Sequence, residues 1–191
     1  MIVLSLFASC THSKKSQELI SCRVNDFNDY HEYESCFDGG NTDGTLKLKP
    51  EILARINFNV NKKWVTYSDS SRIQPGNAVH SSFVMGYILP NGKVHDVVFF
   101  DNGPDYFKEG LARYISTNGK TGFINEDLQE ILPAIHDFVA PFRDGKAVFC
   151  DGCSVKGEGE HPEVTGGLWG IMNKKGKTLK GPMEKKLFES E

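Results

Sequence analysis

The densest run of reactive side chains in this 191-residue sequence is Cys150-Asp151-Gly152-Cys153, followed closely by Glu158-Gly159-Glu160-His161. Two cysteines separated by two residues support three kinds of chemistry. As a local disulfide they pin a long loop between two strands and need no third group, which is the reading the segment favours. As a metal site, Cys150, Cys153 and His161 offer soft nitrogen and sulfur ligands, with Glu158 or Glu160 as an oxygen donor. Tetrahedral zinc wants four ligands, and no second pair at metal-site spacing follows. As a redox dithiol the pair needs a depressed thiol pKa, and neither a helix N-terminus nor a βαβ setting is evident around Cys150.

Cys22 and Cys36 form a second pair. They bracket a polar segment, and closing a loop of that size contributes about 3 kcal/mol through chain entropy. With Cys10 set aside, the even count of four suits disulfides in an oxidising compartment; four free thiols in a reducing cytosol are the alternative. Gly119-Lys120-Thr121 and Gly176-Lys177-Thr178 are like the end of a phosphate-binding loop, but Tyr114 and Ile171 stand where its earlier glycine belongs. No dinucleotide fingerprint, His-Glu-x-x-His or Gly-x-Ser-x-Gly occurs, so no cofactor is expected and no catalytic residue is assigned. The acidic pairs Asp101/Asp105 and Glu158/Glu160 read as solvated loop acids, not as a glycoside-hydrolysing couple. His80, His95 and His136 are isolated and receive no role.

The elements that must position these residues repeat. Gly86-Tyr87-Ile88 leads to Asn91-Gly92-Lys93, Gly122-Phe123-Ile124-Asn125 follows Asn118-Gly119-Lys120, and Gly170-Ile171-Met172-Asn173 leads to Lys175-Gly176-Lys177. The matching glycines lie 36 and then 48 residues apart. In parallel, Phe107-Lys108-Glu109-Gly110-Leu111-Ala112-Arg113-Tyr114 aligns with Phe142-Arg143-Asp144-Gly145-Lys146-Ala147-Val148-Phe149, 35 residues on. A period of this size signals a repeat architecture. Candidate strands fall at 64–67, 82–89, 96–100, 111–115, 122–125, 130–132, 146–150 and 169–173. Ile56, Phe58 and Val60, alternating with asparagines, predict another. A short helical turn is expected after Pro50. Asn91-Gly92 and Asn118-Gly119 predict type I′ hairpin turns. The fold class is therefore all-β, built of antiparallel hairpins in a meander, with a loop-rich N-terminal segment.

The stretch 107–177 resembles the bacterial WG-repeat, or KWG, family. There an aromatic-acidic-Gly-Leu-Ala segment leads into a Gly-Lys-Trp-Gly-aromatic-Ile-Asp strand and a Gly-Lys turn. The residues carrying the likeness are Gly110, Leu111 and Ala112 with Gly119, Lys120 and Gly122 in one unit, and Gly145, Ala147, Trp169 and Gly170 in another. Thr121 stands where the family has Trp in the first unit. A degraded unit occupies about 52–93. The resemblance implies a β domain over residues 46–178, flanked by a polar linker at 10–45 and a charged tail at 179–191. It implies that the recurring aromatics Phe107, Tyr114, Phe123, Phe142, Phe149 and Trp169 share one core.

Residues 1–9 are largely apolar and lead through Ala8-Ser9 to Cys10, which resembles the lipobox of a bacterial lipoprotein signal. Phe7 replaces the usual Leu, no basic residue precedes the run, and the segment is shorter than a complete signal, which a start upstream of Met1 would explain. The expectation is a protein lipidated at Cys10, held at the cell envelope and facing the periplasm; a cytoplasmic location follows if the segment is no signal. A net charge of −3, with short scattered basic clusters, argues against a nucleic-acid binder. The functional expectation is a non-catalytic module for a protein or envelope partner, touching membrane only through its lipid. The runner-up is a periplasmic thiol-disulfide or metal-dependent protein centred on Cys150, Cys153 and His161.

Overall fold

A computed structural model describes residues 20–26, 29–38, 45–59, 62–69, 83–156 and 163–189. The elements in chain order are β1 (Cys22–Asp26), β2 (Asp29–Tyr33), α1 (Pro50–Leu53), β3 (Lys63–Tyr67), β4 (Val84–Ile88), β5 (Val94–Val97), β6 (Phe99–Phe100), β7 (Gly103–Pro104), β8 (Leu111–Ile115), β9 (Thr121–Asn125), β10 (Glu130–His136), β11 (Phe138–Val139), β12 (Lys146–Lys156), β13 (Glu163–Asn173), β14 (Thr178–Glu184) and α2 (Lys185–Glu189). The architecture is all-β, as expected, and its strand pairs are antiparallel. One sheet has the order β10-β9-β8-β5-β4-β3-β1-β2, a second β11-β12-β13-β14, and β6-β7 forms a small ribbon. Asp137 alone separates β10 from β11, so the chain passes from the large sheet to the smaller one across a single residue.

The repeated phrases are turn chemistry. Between Leu89 and Lys93, Ser116 and Lys120, Asn125 and Gln129, and Asn173 and Lys177, the same two bonds recur. The first residue's N–H donates to the fifth carbonyl, and the fourth residue's N–H donates to the first carbonyl. The fourth residue is left-handed each time: Gly92, Gly119, Gly176 and, without glycine's freedom, Leu128 at φ 59. Type I′ turns lie elsewhere than Asn-Gly. Asp101-Asn102 (φ 48, 64), between β6 and β7, has two positive φ values; so do Glu109-Gly110 (φ 52, 82) and Asp144-Gly145 (φ 52, 71). The latter two pairs close the Lys108–Leu111 and Arg143–Lys146 bridges. Asn91 and Asn118 instead use their side-chain oxygens to accept from Lys93 and Lys120 N–H.

Glycines 86, 122 and 170 answer a different demand. A Cβ on Gly122 would sit 2.5 Å from Leu132 O and 2.6 Å from Ala134 N; one on Gly170 would meet the Phe149 ring at 2.4 Å. Each lies where a neighbouring chain segment presses onto the strand, so any side chain there forces backbone or a buried ring aside.

The core divides into three clusters. Val24, Phe37, Leu48, Val65 and Ile88 belong to the first; Met85, Tyr87, Val97, Ala112, Tyr114 and Ile124 to the second; Leu111, Phe123, Phe142, Phe149 and Met172 to the third. The recurring aromatics are thus buried, except that Phe107 is half-buried, but they share no single interior: Phe107 and Tyr114 serve the second cluster, Phe123, Phe142 and Phe149 the third, and Trp169 neither. Three local expectations fail. Residues 22–33, read as loop, form the hairpin β1-β2, because Cys22 and Val24 face the core while Arg23 faces out. Residues 56–59 are not a strand: Asn57 Oδ1 accepts from Asn59 N–H and bends the chain, while Ile56 and Phe58 pack on the first cluster, and Val60 lies outside the described residues. Residues 179–184, read as part of the charged tail at 179–191, belong to strand β14.

Candidate functional site

The long β12-β13 hairpin carries the cysteine pair. Cys150 lies opposite Trp169 and Cys153 opposite Gly166. Gly152, Gly166 and Gly167 all have φ near 70°. Only glycine adopts that conformation without strain, so the strand can turn a side chain without leaving the ladder. Cys150 is fully buried and Cys153 half-exposed. Cys150 Sγ approaches Gly166 O at 3.8 Å and Asp151 O at 4.0 Å. Both cysteines are thiols, where the sequence favoured a disulfide across Asp151-Gly152. Their environment suits the protonated form. Burial raises the Cys150 thiol far above its ordinary value, helped by Cys153 and the carboxylates of Asp151 and Asp137. Burial also raises Cys153, partly offset by its hydrogen bond with Cys150.

A polar clasp surrounds the pair. Asp137, the residue between the two sheets, accepts from Gly152 N–H (2.6 Å) and from Lys120 Nζ (2.6 Å). Burial alone would raise its carboxyl, but Lys120 and the Gly152 amide hold it below the usual range. The Asp137 bond in turn raises Lys120. His136 Nδ1 lies 2.9 Å from Asp151 Oδ1, and its ring stacks on Phe149 at 4.4 Å. Lys120, a turn residue in the sequence reading, and His136 and Asp137, given no role there, therefore converge on the cysteine hairpin. The signal that could have found them is register: a strand ending at His136 beside one holding Cys150 brings these residues together. Among the described residues no three His, Cys, Asp or Glu side chains converge as a metal site. His161, Glu158, Glu160 and Cys10 lie outside the described residues, as does His80.

A second concave region opens where β5 and β8 part. These strands pair only at Val97 and Tyr114, with Val98 N–H donating to Arg113 O. A cleft of about 540 Å³ follows, lined by His95, Asp96, Tyr114, Ser116, Lys93 and Glu130 among others. Tyr114 donates to Glu130 Oε2 (2.8 Å) and accepts from Ala134 N–H (3.1 Å). Burial keeps the His95 imidazole below its ordinary pKa, against the pull of Glu130 and Asp96, so it is neutral at neutral pH. The cleft can hold a small polar molecule, and its groups are those of a hydrogen-bonding site.

The other expected residues have structural work. Cys22 and Cys36 form a disulfide across their 14-residue separation, as the sequence proposed. Asp105 is no solvated acid: both its oxygens bind Arg113 (2.6 and 2.9 Å), and both side chains are buried. Asp101 sits exposed in the β6-β7 turn at φ 48. Gly110 and Gly145 each complete a type I′ turn, Leu111 and Ala147 are core, Ala112 is fully buried, and Trp169 Nε1 donates to Gly166 O (2.7 Å). Comparisons with protein-family models, with curated proteins and with solved structures find no match.

Proposed function

We propose that this chain is an exported WG-repeat module, lipid-anchored through Cys10, that binds a partner at the cell envelope and carries out no catalysis. One observation carries the reading. Phe107 covers Tyr87 (5.5 Å) and, 35 residues later, Phe142 covers Phe123 (4.7 Å), and each is followed by the same type I′ turn. The two turns also meet, since Glu109 accepts from Gly145 N–H (3.1 Å) and pairs with Lys174 (2.9 Å). Units this small cannot bury their own apolar faces, and stacking them creates the extended surfaces that repeat proteins use to hold partners. The Cys22–Cys36 disulfide supports an oxidising compartment. The protonated state favoured at Cys150 and Cys153 argues against a thiol-disulfide enzyme, whose nucleophile needs a lowered pKa.

The experiment is intact-mass analysis of membrane-fraction protein produced from its native locus, paired with crosslinking in intact cells. Acylated Cys10 as the mature N-terminus, a discrete adduct, and loss of both on Cys10→Ser are expected. An unmodified chain in the soluble fraction, without a discrete adduct, overturns the proposal.

A further inference from the structure

We infer that Cys150 and Cys153 are an oxidisable pair in which Cys153 meets an external disulfide first and Cys150 closes the intramolecular bond. The inference is independent of the envelope reading. An ordinary strand sends residues three apart to opposite faces. Here the positive φ of Gly152 interrupts that alternation, and Gly167, whose Cα lies 3.9 Å from where a Cβ on Gly152 would stand, has no side chain to separate the sulfurs. A Cβ on Gly167 would lie 2.6 Å from Cys150 Sγ and 2.6 Å from Cys153 N, so the Cys150 sulfur and the Cys153 backbone both crowd the space that a side chain there would take. Exposure assigns the order: Cys150 is closed to solvent, and Cys153 is not.

The chemistry balances with a disulfide of the glutathione class as oxidant. Cys153 loses its proton, and the thiolate attacks one sulfur of the oxidant, making a mixed disulfide and expelling one thiolate. Cys150 then loses its proton and attacks Cys153 Sγ, forming the Cys150–Cys153 bond and expelling the second thiolate. Two protein thiols are oxidised, the external disulfide is reduced to two thiols, and the two protons end on those products. Burial, and after it the carboxylates of Asp137 and Asp151, opposes both deprotonations, so the pair reacts slowly at neutral pH and faster as pH rises. Closure draws Cys150 Sγ off Gly166 O and pulls on Gly152, whose N–H Asp137 holds. The redox state thus reaches the Lys120–Asp137 link between the two sheets.

The test exposes the reduced, full chain to oxidised glutathione, quenches with an alkylating agent and maps the peptides. A linked Cys150–Cys153 peptide, two hydrogens lighter than the dithiol, is expected in the unaltered protein. Cys150→Ser should hold a persistent glutathione adduct on Cys153, and Cys153→Ser should leave Cys150 unmodified. Re-formation of the Cys22–Cys36 link in the same digests reports that each protein is folded and the oxidant active. If both thiols remain fully alkylatable while Cys22–Cys36 re-forms, the inference fails. It fails equally if Cys153→Ser takes up glutathione at Cys150.

Discussion

The segments around β8 and β12 share a backbone plan and fill it differently. Each follows an aromatic and a type I′ turn of nearly equal dihedrals. In the first, the interior position two residues into the strand is Arg113, held by Asp105 and donating to Val139 O (3.3 Å). Thirty-five residues on, the matching positions are Val148 and Ala140. Tyr114, whose hydroxyl bonds Glu130, is matched by Phe149. The pattern of glycine and turn fixes the path of the chain, while the same two positions hold a buried ion pair in one segment and half-buried apolar side chains in the other. A buried ion pair adds little net stability over an apolar replacement, but losing one partner leaves a stranded charge.

Four measurements break or sharpen that comparison. Arg113→Met should destabilise by about 3–5 kcal/mol in chemical denaturation, because Asp105 stays buried without its cation. The double variant Asp105→Ala/Arg113→Val, which copies the second segment, should recover most of that loss; equal loss in single and double variants would show that the pair is not the reason. Next comes Gly122→Ala, expected to cost roughly 1–3 kcal/mol because its Cβ overlaps the backbone of Leu132 and Ala134. Gly110→Ala and Gly145→Ala should each cost about 1–2 kcal/mol, since space is open at both and only the left-handed backbone penalises a side chain. A difference between these two well beyond error would deny that the turns are equivalent.

The smallest effect is Tyr114→Phe, about 1 kcal/mol at neutral pH for the loss of the hydroxyl's two part-buried hydrogen bonds. Its pH profile is more telling. Burial, then the bond to Glu130, raise the Tyr114 hydroxyl above its ordinary value near 10. A group so raised contributes stability that is complete below about pH 10 and lost as pH climbs toward its folded value. Melting followed from pH 8 to 11 should therefore fall less steeply in Tyr114→Phe than in the unaltered chain. Phe149, the counterpart, has no hydroxyl to titrate.

What the sequence made legible was mostly local. Lys93, Lys120 and Lys177 each follow a glycine that ends a turn, and the turn can be read without knowing what packs on it. Gly110 and Gly145 were legible as repeats, though not as the type I′ turns. Asn-Gly drew that assignment because dipeptide chemistry does not reveal how many residues the loop holds. Pro133 lies in the edge strand β10, where a missing N–H is tolerated, and the register on β9 shifts between Leu132 and His136 around it. The insertion of β1 beside β3 is a pairing across more than 35 residues, and nothing local encodes it. At the candidate site the cysteines were visible, but the clasp was not. Asp137 and Lys120 acquire meaning only through the pairing of β10 with β9 and of β11 with β12, which Asp137 joins.

The parting of β5 from β8 has a consequence for temperature. Backbone bonds are sparse at that seam, and Met85, Tyr87 and Val97 grip Ala112, Tyr114 and Ile124 across it by apolar contact. Such contact weakens on cooling, whereas the ladders on either side rely more on hydrogen bonds. Chilling should therefore loosen this line first, and amide exchange at Val97, Val98 and Tyr114 should quicken in the cold relative to the flanking strands.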